Sequence, residues 1–193
     1  MANENRIREI LQKLDVLRYG HFLFTSGRHG DCYMQCAKLL QHPLYAEEII
    51  KDIAKDFKDD AIDIVIGPAI GGINISYEFA RQLKAISLFA EREGDIMRLR
   101  RDFNIPKGAR VLVVEDVITT GGSVREVIDI VKEKDGELVG VAVLVDRTGG
   151  KVDFGTKFVS GLSEEMVSYS AEECPICKEG KIPLEKPGSR KKL

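Results

Sequence analysis

The sequence predicts an α/β protein with a central, mostly parallel sheet flanked by helices, and a small N-terminal cap. Short apolar segments alternate with amphipathic ones between residues 62 and 145, which is typical of parallel strands joined by right-handed helical crossovers. Each apolar segment ends in glycine or charged residues, as strands do where a sheet carries a site. The length of 193 residues suits one such domain.

The first segment of the chain, residues 1–60, is expected to form a helical cap over one edge of the sheet. Apolar residues at helical spacing predict a helix within residues 4–18, whereas residues 21–34 have no clear period. Pro43 is expected to open an amphipathic helix that continues to Phe57.

The α/β core is predicted to comprise residues 61–170. Its strands are expected at residues 62–66, 85–90, 111–114 and 138–145. Residues 171–193 are interpreted as a terminal turn with a Cys-x-x-Cys motif and a loose basic tail from Lys186.

Composition excludes several classes of protein. The formal net charge of −2, with acidic and basic residues interspersed, argues against a nucleic-acid partner. No apolar run approaches the length of a membrane span, so no membrane association is expected. Four cysteines without a recognisable secretory signal indicate a reducing, cytoplasmic environment.

The most informative motif is VLVVEDVITTGGSV at residues 111–124. A buried strand, a glycine-rich turn and a helix N-terminus would present backbone N–H groups and the positive end of a helix dipole, which suits a phosphate. Glu115 and Asp116 would repel that phosphate and instead suit sugar hydroxyls or a divalent metal. The alternative is an ordinary strand, turn and helix with Ser123 as the N-cap.

A second glycine-rich turn, GPAIGG at residues 67–72, follows another predicted strand and could offer N–H groups to a second anion. A tight turn without a ligand is the alternative. The spacing is not that of a dinucleotide-binding fingerprint. Together the two turns fit a ligand with a phosphate at one end and a pyrophosphate at the other.

Arginines are concentrated in residues 91–102, here called the arginine loop. Arg92, Arg98, Arg100 and Arg101 could neutralise a leaving pyrophosphate, since guanidinium groups match phosphate oxygens bidentately. The alternative is a solvated hairpin with ordinary surface charge.

Arg147 follows a predicted strand directly, which places it at the same edge of the sheet. The alternative is a surface arginine paired with Asp146.

Cys174 and Cys177 form half of a zinc knuckle, and a structural zinc needs four ligands. Cys32 and Cys36 could complete the set if the fold brought both segments together. A redox pair is a second alternative, and reduced thiols without metal are the preferred interpretation. His21, His29 and His42 lack metal-ligand spacing and are interpreted as loop residues.

Five motifs occur in an order that resembles the orotate branch of the type I phosphoribosyltransferases. They are TSGR at residues 25–28 with Tyr33, GPA at 67–69, the motif at 111–124, VDR at 145–147 and CPICKEG at 174–180. The arginine loop lacks lysine and histidine, which resembles a short-loop branch of the family.

The resemblance implies transfer of the phosphoribosyl group of phosphoribosyl pyrophosphate (PRPP) to orotate, with Mg²⁺ held mainly through PRPP rather than by protein ligands. It also implies a homodimer whose arginine loop reaches the partner's site. Catalytic roles are expected for Glu115, Asp116, Arg98 and Arg100. PRPP contacts are expected from Glu115, Asp116, Val117, Ile118, Thr119, Thr120, Gly121, Gly122, Ser123, Ala69, Ile70, Gly71 and Arg92. Orotate contacts are expected from Thr119, Arg147, Tyr33 and Met34. A purine-type phosphoribosyltransferase and a non-enzymatic PRPP-sensing regulator remain alternatives.

Overall fold

A computed structural model describes residues 3–187 and shows a six-stranded sheet with helices on both faces. The strands are β1 (Leu17–Leu23), β2 (His29–Met34), β3 (Ile64–Pro68), β4 (Ile86–Glu93), β5 (Ile96–Leu99), β6 (Arg110–Ile118), β7 (Glu137–Asp146), β8 (Lys157–Ser163) and β9 (Ser168–Tyr169). The helices are α1 (Glu4–Lys13), α2 (Ala37–Leu40), α3 (Pro43–Ala54), α4 (Gly71–Leu83), α5 (Gly122–Glu133) and α6 (Pro175–Glu179). A 3₁₀ turn, Lys55–Phe57, extends α3.

The large sheet has the order β5-β4-β3-β6-β7-β8, and all neighbours are parallel except the edge pair β4–β5. The predicted fold class is therefore confirmed. The central strands are apolar throughout because helices cover both of their faces. Alternation along β3 divides the core: Val65 packs with α3 and α4, whereas Ile64 and Ile66 pack with α5.

Helices α1, α3, α4 and α5 each bury one apolar stripe. On one face, Ile7 and Ile10 of α1, Ile53 of α3 and Phe79 of α4 join a single core. On the other face, Val127 and its helical neighbours in α5 cover the sheet. Helices α1 and α3 pack into the same core as residues 61–170. The boundary predicted at residue 60 therefore does not coincide with a gap in packing, and it stays a prediction.

Strands β1, β2 and β9 form a separate antiparallel sheet, called the hood below. Residues 21–34, which showed no period, thus form most of a hairpin. The predicted helix over residues 4–18 was too long: it ends at Lys13, and Asp15 adopts a left-handed conformation (φ 54°) that terminates it before β1.

Two further expectations are corrected by the structure. The sheet has an additional strand, β8, that the sequence analysis omitted. Strand β4 continues to Glu93, so the arginine loop is largely a β-hairpin with β5. Lys186 lies within the described residues, while most of the predicted basic tail lies outside them. None of the helices within residues 3–187 is long and apolar enough to span a membrane.

Candidate active site

The carboxyl ends of β3, β6 and β7 meet at one edge of the large sheet, because the three strands are parallel and adjacent. The turn of residues 67–72 follows β3, and residues 119–123, called the phosphate loop below, follow β6. The backbone N–H of Arg147 donates to the Ile118 carbonyl at 3.0 Å, which places Arg147 next to the phosphate loop. The sheet therefore assembles the predicted site residues from distant parts of the chain.

The phosphate loop lines a cavity of about 230 Å³. The lining residues are Arg92, Glu115, Val117, Ile118, Thr119, Thr120, Gly121, Gly122, Ser123, Val124 and Glu126. Nine of these residues belong to the predicted PRPP set. The fold therefore brings most of that set together around one cavity. Such a volume is below the roughly 300 Å³ at which whole-ligand pockets begin, so it fits one end of a larger molecule.

Helix α5 begins at Gly122, with Gly121 as its N-cap in a left-handed conformation (φ 77°). Ser123 therefore lies in the first turn and is not the cap, which corrects the sequence interpretation. A side chain at position 121 would clash with the Phe154 ring at 2.9 Å, so glycine is required there for both space and backbone conformation. Gly121 offers no side chain to cap this helix, and Thr120 Oγ1 accepts from the Gly122 N–H at 3.4 Å. The first-turn residues Ser123 and Val124 line the cavity, where N–H groups of a helix N-terminus favour an anion.

The acidic pair ends β6 in a largely buried position. Glu115 is 9% exposed and lines the cavity, and its carboxylate accepts from the Asp116 N–H at 3.1 Å. Asp116 accepts from the Val117 N–H at 2.7 Å. Burial raises the pKa of both carboxyls, and the Asp116 charge raises the pKa of Glu115 further. Two adjacent desolvated acids with raised pKa values are typical of a site that binds a ligand.

The turn of residues 67–72 is in contact with Asp116. A Cβ at Gly71 would lie 2.6 Å from Asp116 Oδ2, so only glycine leaves room for the carboxylate. The Ala69 N–H donates to the Ala90 carbonyl at 2.7 Å and ties the turn to β4, while the Ile70 side chain is 86% exposed. Thus Asp116 lies between the two glycine-rich turns, beside both predicted anion sites.

The arginine loop is only partly directed at the cavity. Arg92 lines the cavity and donates to Glu126 Oε2 at 2.7 Å. Arg98 lies 3.1 Å from Glu93, and Arg100 lies 3.3 Å from Glu91. The structure therefore places Arg92 with the acidic pair and holds Arg98 and Arg100 in surface ion pairs of the hairpin, so their catalytic roles stay predictions.

Arg147 is half-buried, and its Nε has no hydrogen-bond partner among residues 3–187. The proposed surface pair with Asp146 is not formed. Asp146 is fully buried and instead accepts from the Thr148 and Gly150 N–H groups, both at 2.7 Å, and from Ser163 Oγ at 3.1 Å. Asp146 thereby holds the backbone after β7, and Arg147 keeps an unsatisfied donor for a ligand.

Comparison with known proteins decides the family. Residues 36–174 match the family model described as "Phosphoribosyl transferase domain". The chain is 56% identical to the orotate phosphoribosyltransferase of Caldanaerobacter subterraneus subsp. tengcongensis, over 97% of this chain and 98% of that protein. The chain belongs to the orotate phosphoribosyltransferases. The family expected from the five motifs is thus confirmed.

Solved structures agree with this assignment. The orotate phosphoribosyltransferase of Aeropyrum pernix superposes with a TM-score of 0.69 at 27% identity, covering 81% of this chain and 93% of that one. The adenine phosphoribosyltransferase of Thermoanaerobacter pseudethanolicus has a TM-score of 0.68 at 18% identity, covering 81% and 99%. The second likeness shows the fold alone.

The hood carries the remaining residues of the predicted site. Tyr33 and Met34 lie at the end of β2, both half-buried. Cys36 follows them, with its Sγ 4.0 Å from the Asp116 carbonyl. Burial raises the pKa of the Cys36 thiol. The charge of Asp116 raises it further, whereas the charge of Arg147 lowers it. The segment that follows β2 therefore lies beside the Asp116 backbone and within electrostatic range of Arg147.

One group of side chains was missed by the sequence analysis. His21 and His29 are not loop residues: they lie buried in β1 and β2, beside Cys174 and Cys177. The partners suggested for the Cys-x-x-Cys motif, Cys32 and Cys36, are not in this group. Spacing could not reveal it, because His21 is 153 residues from Cys174.

Proposed function

We propose that this protein transfers the phosphoribosyl group of PRPP to orotate, giving orotidine 5′-phosphate and pyrophosphate in pyrimidine biosynthesis. The observation that carries the proposal is the position of Asp116 between two glycine-rich turns, with Glu115 in the adjoining cavity. This arrangement provides an anion site on each side of a carboxylate pair, as a ribose with a phosphate and a pyrophosphate requires. The relatives' name supplies the identity of the base.

The ribose phosphate is assigned to the phosphate loop. Its hydroxyls at Thr119, Thr120 and Ser123 and the first-turn N–H groups of α5 can donate to phosphate oxygens. The acidic pair then faces the ribose hydroxyls, whose O–H groups can donate to the carboxylates. The turn of residues 67–72 and Arg92 are assigned to the pyrophosphate.

Mg²⁺ fits the donor set, since Glu115 and Asp116 place two neighbouring carboxylates, whose oxygens are ligands of the kind that Mg²⁺ prefers, beside the cavity and the 67–72 turn. The acidic pair would attract the cation, PRPP oxygens would provide most of its ligands, and the ion would neutralise charge on the leaving pyrophosphate. The cleaved C1–oxygen bond leaves positive charge on the ribose, which the two carboxylates stabilise, and pyrophosphate takes the electron pair. The orotate ring nitrogen forms the new bond to C1 and gives up its proton, which the leaving pyrophosphate can accept.

The decisive experiment measures orotidine 5′-phosphate formation from orotate and PRPP, with and without Mg²⁺. We expect turnover that requires Mg²⁺, and none when adenine, hypoxanthine or guanine replaces orotate. Turnover with a purine alone would assign the chain to the purine-type alternative. PRPP binding without turnover of any base would indicate the PRPP-sensing regulator. The cytoplasmic compartment is proposed from composition only.

Substitution of Gly71 should test the contact between the 67–72 turn and Asp116. In Gly71→Ala, the new methyl group displaces the Asp116 carboxylate or the turn, because it would lie 2.6 Å from Oδ2. We expect kcat/KM for PRPP to fall by roughly 10-fold to 100-fold, as small misplacements at reacting centres do. A thermal-unfolding scan serves as the control. Unchanged kinetics in a folded variant would show that the turn can move away from Asp116 without affecting the site.

The arginine loop tests the proposed homodimer. Arg98 and Arg100 pair with glutamates of their own hairpin, which leaves them on an exposed projection able to reach a second subunit. Mixing an Arg98→Ala/Arg100→Ala variant with Asp116→Asn should restore part of the activity, because each hybrid dimer contains one site with an intact loop and an intact Asp116. Subunit exchange is monitored by mass spectrometry. If exchange occurs without recovery, the loop serves its own subunit.

A further inference from the structure

Four side chains meet far from the acidic pair in a cluster that the proposed reaction does not use: His21, His29, Cys174 and Cys177. The three residues other than Cys177 are buried, with His21 and His29 only 4% and 6% exposed and Cys174 at 0%. All four potential ligand atoms lie within 4.8 Å of one another. The cysteines are free thiols in the structure.

The distances within the cluster match those around a tetrahedral metal. His21 Nε2 lies 3.5 Å from Cys174 Sγ, 3.4 Å from Cys177 Sγ and 3.1 Å from His29 Nδ1. Cys177 Sγ lies 3.2 Å from His29 Nδ1. Zinc bound at about 2.3 Å by sulfur and about 2.0 Å by nitrogen would hold such atoms about 3.3 to 3.8 Å apart. The four distances of 3.1 to 3.5 Å are close to these values, and all ligand atoms lie within 4.8 Å of one another, so small side-chain shifts would complete the geometry.

The hydrogen bond of His21 directs its lone pair inward. Its Nδ1 lies 3.1 Å from the Ile182 carbonyl, which can only accept, so Nδ1 carries the proton and Nε2 presents a lone pair to the cluster. A metal-bound histidine commonly has this partner on its other nitrogen. Two thiol groups and a histidine lone pair converge on one point. This arrangement favours a bound cation over hydrogen bonds among the three groups.

The C-terminal segment has little else to fix it. All five residues of α6 are exposed or half-exposed, and Ile182 and Leu184 are 49% and 45% exposed. Its other attachments to β1 are backbone hydrogen bonds of Glu185 and the exposed Arg18–Glu185 ion pair, which stabilises weakly. A metal bound by residues of β1, β2 and the Cys-x-x-Cys turn would attach the C-terminal segment to the hood.

We propose that His21, His29, Cys174 and Cys177 bind one structural Zn²⁺ that fastens the C-terminal segment to the hood. Two thiolates and two imidazoles form the tetrahedral S₂N₂ set that favours zinc, and with all four positions filled by protein the ion has no open site for catalysis. The site is chemically independent of PRPP and orotate.

Zinc content of the purified full-length protein tests the proposal. Elemental analysis after purification without chelators, or after zinc reconstitution and removal of excess metal, should give one zinc per chain. X-ray absorption should report two sulfur and two nitrogen neighbours, and Co²⁺ substitution should give the absorption of a tetrahedral thiolate site. Absence of zinc under both preparations, or a Cys174–Cys177 disulfide in its place, would overturn the proposal.

Matched variants identify the ligands. Cys177→Ser and His29→Gln should lose at least about tenfold in zinc affinity, since the loss of an outer-shell partner alone typically costs about 10-fold to 100-fold. Cys32→Ala and His42→Gln should retain one zinc, because neither side chain belongs to the cluster. Loss of zinc in Cys32→Ala together with retention in Cys177→Ser would refute this ligand set. If a variant fails to fold, chelator treatment of the unmodified protein should still release zinc and speed proteolysis within residues 178–187.

Discussion

Asp116→Asn should lower kcat by about 100-fold or more while leaving the fold intact, because one charged group facing the reacting ribose is removed. The asparagine Oδ1 can still accept from the Val117 N–H, which donates to Asp116 at 2.7 Å. The change also keeps the volume that the Gly71 contact requires. Steady-state assays with orotate and PRPP measure the effect, and a milder loss is expected for Glu115→Gln.

A measurement of thermal stability distinguishes a carboxylate that is held for a ligand from one that stabilises the fold. Burial raises the pKa of Asp116, so the native state binds more protons than the unfolded state, and stability falls as pH rises from the unfolded pKa through the folded one. Asp116→Asn removes this penalty, and its unfolding temperature at neutral pH should equal or exceed that of the unmodified protein. Asp129→Asn, at an exposed position of α5, serves as the control for both measurements. Activity within a few-fold of normal would refute the assignment of Asp116.

Arg147→Ala should raise the KM for orotate about tenfold or more, equivalent to about 1.4 kcal/mol, with little change in the KM for PRPP. The Arg147 guanidinium is well placed to meet the orotate carboxylate, since its Nε is buried without a hydrogen-bond partner in the described part of the chain and its backbone adjoins the phosphate loop. A planar fork matches a carboxylate bidentately. Initial rates with each substrate varied in turn separate the two constants.

Arg147→Lys is the matched variant, because it keeps the charge and loses the fork geometry. We expect it to recover only part of the orotate affinity. A parallel rise in both KM values would mean that Arg147 supports the site's structure. Unchanged constants would refute base recognition by Arg147 and leave the choice of orotate supported by the relatives alone.

The sequence predicted those parts of the site that are local in the chain. Residues 111–124 carry their strand, turn and helix in one continuous motif, so the cavity and the acidic pair could be placed from spacing. The glycine requirement at Gly71 was not visible, because it arises from contact with Asp116, which lies 45 positions further on (116 − 71). Likewise, the glutamate partners of Arg98 and Arg100 depend on the register of β4 against β5.

The hood was the least predictable part. A shift in register between Tyr19 and Phe22 interrupts the alternation along β1, and glycine at position 30 interrupts the pattern in β2. The inward direction of His21 and His29 follows from this pairing and from the C-terminal segment, neither of which leaves a periodic trace. The Cys-x-x-Cys motif resembled half of a zinc knuckle, but reduced thiols without metal were the preferred interpretation. Only the three-dimensional structure places His21 and His29 beside the two cysteines.

The hood joins the early and late parts of the chain, and this imposes an order on folding during synthesis. Strand β2 pairs with β9, and residues 21 and 23 exchange backbone hydrogen bonds with Glu185. On the ribosome, β1 and β2 emerge long before these partners exist, whereas the strands and turns around Asp116 are complete once β7 has been made. A nascent chain can thus form the half of the site assigned to the sugar phosphate before the hood closes over it, and the cover is finished only when residue 185 has left the exit tunnel.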